Sequence, residues 1–450
     1  MKKWLKAALC VLLAILLIVG GYVAYVFIDY HRIGDMALTP SDGGAASVRT
    51  DTPYTVLSYN IGFGAYEDDY GFFMDDGTES RAWSEERLTK NLSEISAFLT
   101  EQSPDFLLAQ EVDIGSPRSY QVDERPYLTE ALEDMSGVFC QNYDSPYLMY
   151  PLLRPHGASR SGLLTLSSAA ITSAGRVELP VEGGFMKLLD LDRCYSVSRI
   201  PVEGGKELVL YNLHLSAYTS DGTIATEQLK LLLADMQSEY DAGNWCVAGG
   251  DFNKDLLGDS AAWFGEADQE YSWAQPIPAG TFEGLDISLV TPLDKDDPVP
   301  SCRNADGPYH QGQYVLTVDG FLVTANVTRP RRERRGHRHR LRLVRPQPRR
   351  HDLHAAALTA APCDTHTGPP CCGSVFFRRI CIFSQKSEKG GCQAVHSVVT
   401  YVHQFDTPDE SPGMFRPDAE GTLENPIQLG AEGARRGCAE SLRQKDGADK

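Results

Sequence analysis

The chain has 450 residues, 42% hydrophobic and 23% charged, with 42 Lys+Arg against 61 Asp+Glu and a formal net charge of −19. This apolar share supports a sizeable core, in roughly two or three ordinary domains or one large α/β domain. It excludes global disorder and a collagen-like chain, and 11 cysteines are too few for a disulfide knot. Charge is unevenly placed: residues 1–328 hold 21 Lys+Arg and 47 Asp+Glu, net −26, and residues 329–450 hold 21 and 14, net +7. Cysteine divides at the same point. The acidic part has no C-x-x-C pair, and Cys371, Cys372 and Cys381 with His366 in the basic part lack zinc spacing.

Ala7 to Ile28 is an unbroken apolar stretch preceded by Lys2, Lys3 and Lys6. At ~1.5 Å per residue it crosses a hydrocarbon core of ~30 Å, and the lysines hold its N-terminal side in the cytoplasm. A cleaved signal peptide is the competing reading, but its apolar region would be shorter and end at small residues. Here Tyr22, Tyr25 and Phe27 occupy the exit. Residues 1–35 are therefore expected to be a single-pass signal anchor in the cell membrane, with everything beyond extracytoplasmic. Residues 36–52, rich in Ser, Gly, Ala and Thr, are expected to be a linker.

From Tyr54 the pattern is α/β. Tyr54-Thr-Val-Leu-Ser-Tyr-Asn60 predicts a strand, with Gly62 just beyond its end. Residues 84–102 predict an amphipathic helix: Ser84 as N-cap, Glu85 and Glu86 at the positive end of the dipole, and Leu88, Leu92, Ile95 and Leu99 on one face. Asp105 to Glu111 reads as a buried strand, and further strands are expected at Gly162–Leu166, Leu208–Leu215, Trp245–Ala248 and Val315–Val323. A helix over Ala225–Glu239 turns Leu229, Leu232, Leu233 and Met236 inward.

Asn60, Glu111, His214, Asp251, Asn253 and Asp319 each lie within or just beyond a hydrophobic strand. One such residue is only a chain leaving its core. Several strands ending in carboxylates, carboxamides and a histidine point to a shared rim, where open α/β folds place their sites.

Five segments carry a resemblance: Ser58-Tyr59-Asn60; Asp105 to Gln110 followed by Glu111-Val-Asp113; Tyr211-Asn-Leu-His214-Leu; Gly249-Gly250-Asp251-Phe252-Asn253; and Val318-Asp319-Gly-Phe-Leu-Val323. In this order they resemble the endonuclease/exonuclease/phosphatase superfamily of DNase-I-like nucleases, sphingomyelinases and inositol-polyphosphate phosphatases. The resemblance covers roughly residues 54–327 and makes residues 53–327 the expected catalytic domain. It implies a four-layer α/β sandwich of two packed mixed β-sheets flanked by helices. This fold would be preceded by one transmembrane helix and followed by a disordered tail over 328–450.

It also implies roles. Phosphate-ester hydrolysis needs water delivered in line and a cation to meet the growing negative charge, and Mg²⁺ takes one or two carboxylates while keeping waters. Glu111 would be the metal ligand with Asn60 beside it, for Mg²⁺, or Mn²⁺ or Ca²⁺ in its place. Asp251 would orient and deprotonate the water, Asn253 would donate to the phosphate or to that water, and His214 would contact a phosphoryl oxygen. Asp319 would fix and charge a histidine in the family's closing block. Each has an ordinary alternative: His214 as a strand-end histidine, Asn60 and Asp319-Gly320 as turn chemistry. Arg118 could reach a phosphate but reads first as a solvated loop charge.

The closing block, Ser-Asp-His-(Asn/Ser)-Pro-(Val/Ile), is missing, since no Asp-His occurs in the chain. Thr328 to Arg350 stands there instead, with 11 Arg, no Lys and no evident strand or helix periodicity. One reading is a polybasic segment for nucleic acid or anionic surfaces. The other is a reading-frame shift, because Arg codons of the CGN type arise when a frame slips in a GC-rich gene. Val344-Arg-Pro-Gln-Pro-Arg-Arg-His-Asp-Leu353 can be written in codons that, read one base later, give Ser-Asp-His-Asn-Pro-Val-Val-Met-Thr. On that reading residues beyond 328 have no evolved fold, and this chain is unstable or nearly inactive.

Three classes follow: a membrane-anchored Mg²⁺-dependent phosphoesterase, a non-catalytic binding module on the same fold, or an anchored protein with a basic nucleic-acid-binding tail. The acidic body lacks the basic footprint of tight duplex binding. That favours small phosphoesters or lipid head groups over nucleic acid as substrate.

Overall fold

The computed structural model describes residues 2–50, 52–184, 187, 192–217, 222–265, 274–290, 300–310, 312–328 and 340–343. The first element is a helix, α1 (Lys3–Asp29), in which only Val26 is buried. Trp4, Leu5, Leu13, Leu16, Leu17, Ile18 and Ile28 all face outward. It is long and apolar enough to cross a membrane.

Strands and helices then alternate. The strands are β1 (Met36–Leu38), β2 (Pro53–Asn60), β3 (Phe106–Asp113), β4 (Ser136–Asp144), β5 (Arg160–Ser167), β6 (Ser173–Glu178) and β7 (Cys194–Val202). They continue as β8 (Lys206–His214), β9 (Trp245–Asp251), β10 (Ile287–Val290), β11 (Cys302–Arg303), β12 (Val315–Leu316), β13 (Asp319–Thr324), β14 (Val327–Thr328) and β15 (Arg340–Leu343). The helices after α1 are α2 (Glu85–Gln102), α3 (Arg125–Ala131), α4 (Thr223–Asp241) and α5 (Ser260–Phe264).

One sheet has the order β1-β6-β7-β8-β9-β13-β10 and the other β14-β15-β2-β3-β5-β4, with β11-β12 a separate hairpin. Each large sheet is mixed: β2/β3 and β8/β9 are parallel and their other neighbours antiparallel. Alternation along each strand builds the layers. Val56, Phe106 and Leu108 of one sheet meet Leu208, Leu210, Trp245, Val247 and Phe321 of the other in a shared core. The opposite faces, Leu57, Tyr59, Leu107 and Ala109 on one side and Val209, Tyr211, Leu213 and Ala248 on the other, are covered by helices. Leu88, Leu92 and Leu99 of α2 with Leu128 of α3 cover the first, and Leu229, Leu232, Leu233 and Met236 of α4 the second. The result is a four-layer α/β sandwich. Ser84 caps α2 as its sequence predicts, accepting from the Arg87 N–H at 3.1 Å.

Three expectations are corrected. The segment 36–52 is not a free linker: β1 pairs with β6, Ala45 bridges Ala169, and Val48 is buried in the core. Its few apolar residues are spaced to cover a sheet edge, which composition alone does not reveal. Val315–Val323 is not one strand, because the chain leaves β12 of the hairpin and enters the seven-stranded sheet as β13. Finally, Arg340-Leu-Arg-Leu343 does alternate with period 2, and it forms β15, antiparallel to both β2 and β14. Structure therefore continues past 328 at these four residues. The remaining tail readings, including Cys371, Cys372, Cys381 and the out-of-frame or basic character of 344–450, lie outside the described residues.

Candidate active site

The parallel pairs β2/β3 and β8/β9 bring the strand ends of both sheets to one rim. Asn60 pairs in register with Gln110, and His214 with Asp251, which itself lies opposite Asp319 on β13. Close approach of β8 and β9 depends on Gly250 (φ 150°), where a Cβ would sit 2.0 Å from the Leu213 carbonyl oxygen.

Glu111 reaches the rim through a break in the ladder. The β3/β5 register shifts between Ala109 and Val112, and Glu111 has φ 53°, in the left-handed region. A bulge of this kind re-aims a side chain and is a local strain that the surrounding sheet must hold. Asn253, just beyond β9, is left-handed too (φ 46°).

Asn60 joins the two carboxylates. Its Nδ2 donates to Glu111 Oε1 at 3.2 Å and to Asp251 Oδ2 at 3.0 Å, while its Oδ1 accepts from the Gly62 N–H at 3.0 Å. Asp251 Oδ1 accepts from the Asn253 N–H at 2.8 Å, and His214 Nε2 lies 3.8 Å from Asp251 Oδ2. The Asn253 side chain gives an N–H to the Leu215 carbonyl at 2.8 Å, so it shapes the loop that carries Asp251. Any contact with phosphate is left to its second N–H. All six sequence-predicted residues thus fall on this rim, with Asp319 behind Asp251.

Burial dominates the electrostatics. It raises Asp251 to about 6 against the hydrogen bonds from Asn60 and the Asn253 N–H, with the Glu111 charge adding to the rise. Burial and then the Asp251 charge hold Asp319 well above the usual carboxylate range, against a hydrogen bond from Ser301. Burial, then the Arg193 and Arg118 charges, keep His214 well below its ordinary value, so its imidazole is neutral. A buried acid poised near neutrality beside a neutral imidazole is an arrangement suited to proton transfer.

Arg118 is not a solvated loop charge. Its guanidinium grips Asp113 with two bonds, Nε to Oδ2 at 2.9 Å and Nη2 to Oδ1 at 2.7 Å, and lies 4.0 Å over the Phe63 ring. Nη2 is 4.0 Å from Glu111 Oε2. Asp113 also accepts from Ser119 Oγ at 2.9 Å. The spacing Asp113…Arg118-Ser119 after Glu111 was readable; that a short helical turn (Pro117–Ser119) returns Arg118 to its own strand end was not. Arg193, whose charge acts on both His214 and Asp251, is a residue the sequence did not single out.

A family model described as the Endonuclease/Exonuclease/phosphatase family matches residues 57–341. Among solved structures, the chain is similar to truncated Caenorhabditis elegans TDP2, at 14% identity and TM-score 0.36 over 64% of this chain and 92% of that one. It is also similar to an endonuclease/exonuclease/phosphatase from Beutenbergia cavernae, at 17% and 0.39 over 62% and 66%. ANGEL2, a 2′,3′-cyclic phosphatase, gives 17% and 0.40 over 69% and 90%. No curated protein matches this chain by sequence.

Proposed function

The chain belongs to the endonuclease/exonuclease/phosphatase family, and we propose that it is a divalent-cation-dependent hydrolase of phosphate esters, anchored by α1 with its catalytic domain outside the cytoplasm. The observation that carries this reading is the Asn60 amide bridging Glu111 and Asp251 with His214 beside them, four side chains from four strand ends.

The donor chemistry fits a hard cation. Glu111 is a partly exposed carboxylate beside an amide, and Mg²⁺ needs only one or two carboxylates because it keeps its waters. A soft, fully protein-ligated ion does not fit: among the described residues no group of three or more His, Cys, Asp or Glu could hold a metal. Glu111, with Asn60 beside it, would hold Mg²⁺, or Mn²⁺ or Ca²⁺, which when bound supplies charge against the developing phosphoryl and leaving-group oxygens.

The rest falls to the chain's own groups. Asp251, held at both oxygens by Asn60 and the Asn253 N–H, orients the attacking water and accepts its proton. Neutral His214 donates to a phosphoryl oxygen, and Arg118 and Arg193 add positive potential on that side. Small phosphoesters and lipid head groups are the preferred substrates, since the acidic body repels a duplex.

The non-catalytic alternative rests on one fact: no Asp-His occurs in the chain, so the histidine that Asp319 should charge is not supplied by that motif. On the hydrolase reading this lowers the turnover of the chain as it stands, and restoring the frame beyond residue 328 recovers it. Assays against DNA, sphingomyelin and inositol phosphates, with and without Mg²⁺, separate the substrate classes. Phosphoester binding with no Mg²⁺-dependent turnover, even in the restored protein, would leave the binding module.

A further inference from the structure

We propose that the loop 147–153 is a second membrane contact, seated in the outer interfacial layer of the bilayer that α1 crosses and holding the catalytic rim against the lipid surface. This rests on the reading of α1 as a membrane anchor.

The loop Tyr147-Leu-Met-Tyr-Pro-Leu-Leu153 carries no charge, and five of its seven side chains are exposed. Leu153 is fully exposed, Leu152 79% and Tyr150 67%, with Tyr147 and Met149 also outward. Contiguous exposed apolar side chains on a folded domain mark an interaction surface.

The occupant follows from what the loop touches. Tyr22 Oη donates to the Tyr147 carbonyl at 3.1 Å, the Tyr147 N–H donates to Tyr25 Oη at 3.0 Å, and the Met149 N–H donates to Tyr22 Oη at 3.0 Å. Tyr22 lies seven residues before the helix end at Asp29, about 10 Å along the axis. A loop bonded there lies beside the outer part of the apolar span, at a depth where water is scarce.

Its backbone is also prepared for that depth, where an unpaired N–H or C=O is costly. Besides the three tyrosine bonds, Leu148 and Gly157 exchange N–H···O bonds at 3.2 and 3.1 Å. The His156 N–H pairs with the Tyr150 carbonyl at 3.1 Å and the Arg154 N–H with the Pro151 carbonyl at 3.1 Å. Nearer the helix end, Lys187 Nζ sits 4.6 Å from the Tyr30 ring and 5.8 Å from Phe27, a cation placed for lipid phosphates. The loop returns to the rim directly: Gly157 packs on Pro117, next to Arg118. Membrane seating therefore keeps the turn that carries Arg118, and through it Glu111, near the lipid surface.

The test uses the full-length chain reconstituted in phosphatidylcholine vesicles doped with a diazirine-acyl phosphatidylcholine, with adducts mapped by mass spectrometry. Adducts on 147–153 as well as on α1 are expected. Leu152→Asp with Leu153→Asp should cut the loop adducts about tenfold while those on α1 persist. Adducts confined to α1 would overturn the proposal and leave the anchor intact. Adducts on neither would overturn both. An unchanged thermal midpoint for the double variant assigns its effect to lipid contact rather than to unfolding.

Discussion

Gln110 Nε2 donates to Asn212 Oδ1 at 2.8 Å, a bond that helps tie the strand carrying Glu111 to the strand carrying His214. Both side chains are wholly buried between the sheets. Asn212 Nδ2 in turn donates to the Ala109 and Leu164 carbonyls, each at 3.1 Å. The rim is thereby set by a buried polar network, to which Gln110 Nε2 adds a bond to the Leu108 carbonyl at 2.8 Å and Asn212 Nδ2 one to Thr165 Oγ1 at 3.3 Å.

Asn212→Leu should therefore destabilise the fold by about 1–3 kcal/mol, by removing its buried bonds to Gln110 and to the Ala109 and Leu164 carbonyls. Urea unfolding should show this, with the slope unchanged. Gln110→Leu combined with Asn212→Leu should cost less than the sum of the single changes, since a jointly apolar pair strands fewer groups.

The Arg118–Asp113 pair is buried and fork-shaped, so removing one partner leaves an uncompensated charge. Arg118→Ala is expected to lose about 3–5 kcal/mol, and Arg118→Lys to retain charge while losing the two-bond geometry. Thermal denaturation checks the first. A raised Mg²⁺ requirement at nearly unchanged stability checks the second, because Nη2 also steadies Glu111.

Asp251 sets a pH dependence with a definite sign. As a base it works only when ionised, so turnover should rise with pH through a midpoint near its pKa of about 6. Stability moves the other way. The folded carboxyl keeps a proton that the unfolded chain has released, so stability falls as pH rises from about 4 to 6 and stays lower above it. Asp251→Asn should abolish turnover yet stabilise the fold at pH 7 by up to about 3 kcal/mol, a gain that disappears near pH 3. Calorimetry at both pH values reads it directly.

Restoring the reading frame after residue 328 should return Asp-His next to Asp319 and raise turnover by orders of magnitude over the chain as it stands. Sequencing the gene around codon 327 and the mass of the expressed protein check whether the frame is shifted.

Much of this was legible in the sequence because strong periodicity and local chemistry agree. The α2 helix, its Ser84 cap, and the strands ending in Asn60, His214 and Asp251 are each written in a few adjacent residues. What was not legible depends on distant partners. β7 alternates buried serines (Ser196, Ser198) with larger side chains, so it lacks an apolar signature until a second sheet covers it. Arg118 looks like any loop cation until the turn at Pro117 folds it onto Asp113. The left-handed bulge at Glu111 belongs to the pairing of β3 with β5, which no local pattern announces.

The account stands most directly on one measurement: Mg²⁺-dependent hydrolysis of bis(p-nitrophenyl) phosphate by the frame-restored protein and its Glu111→Ala, Asp251→Ala and His214→Ala variants. Turnover that appears with Mg²⁺ and falls at least about a hundredfold in each variant is the expected result. Turnover unchanged by these substitutions, or indifferent to chelation, would contradict a shared catalytic rim.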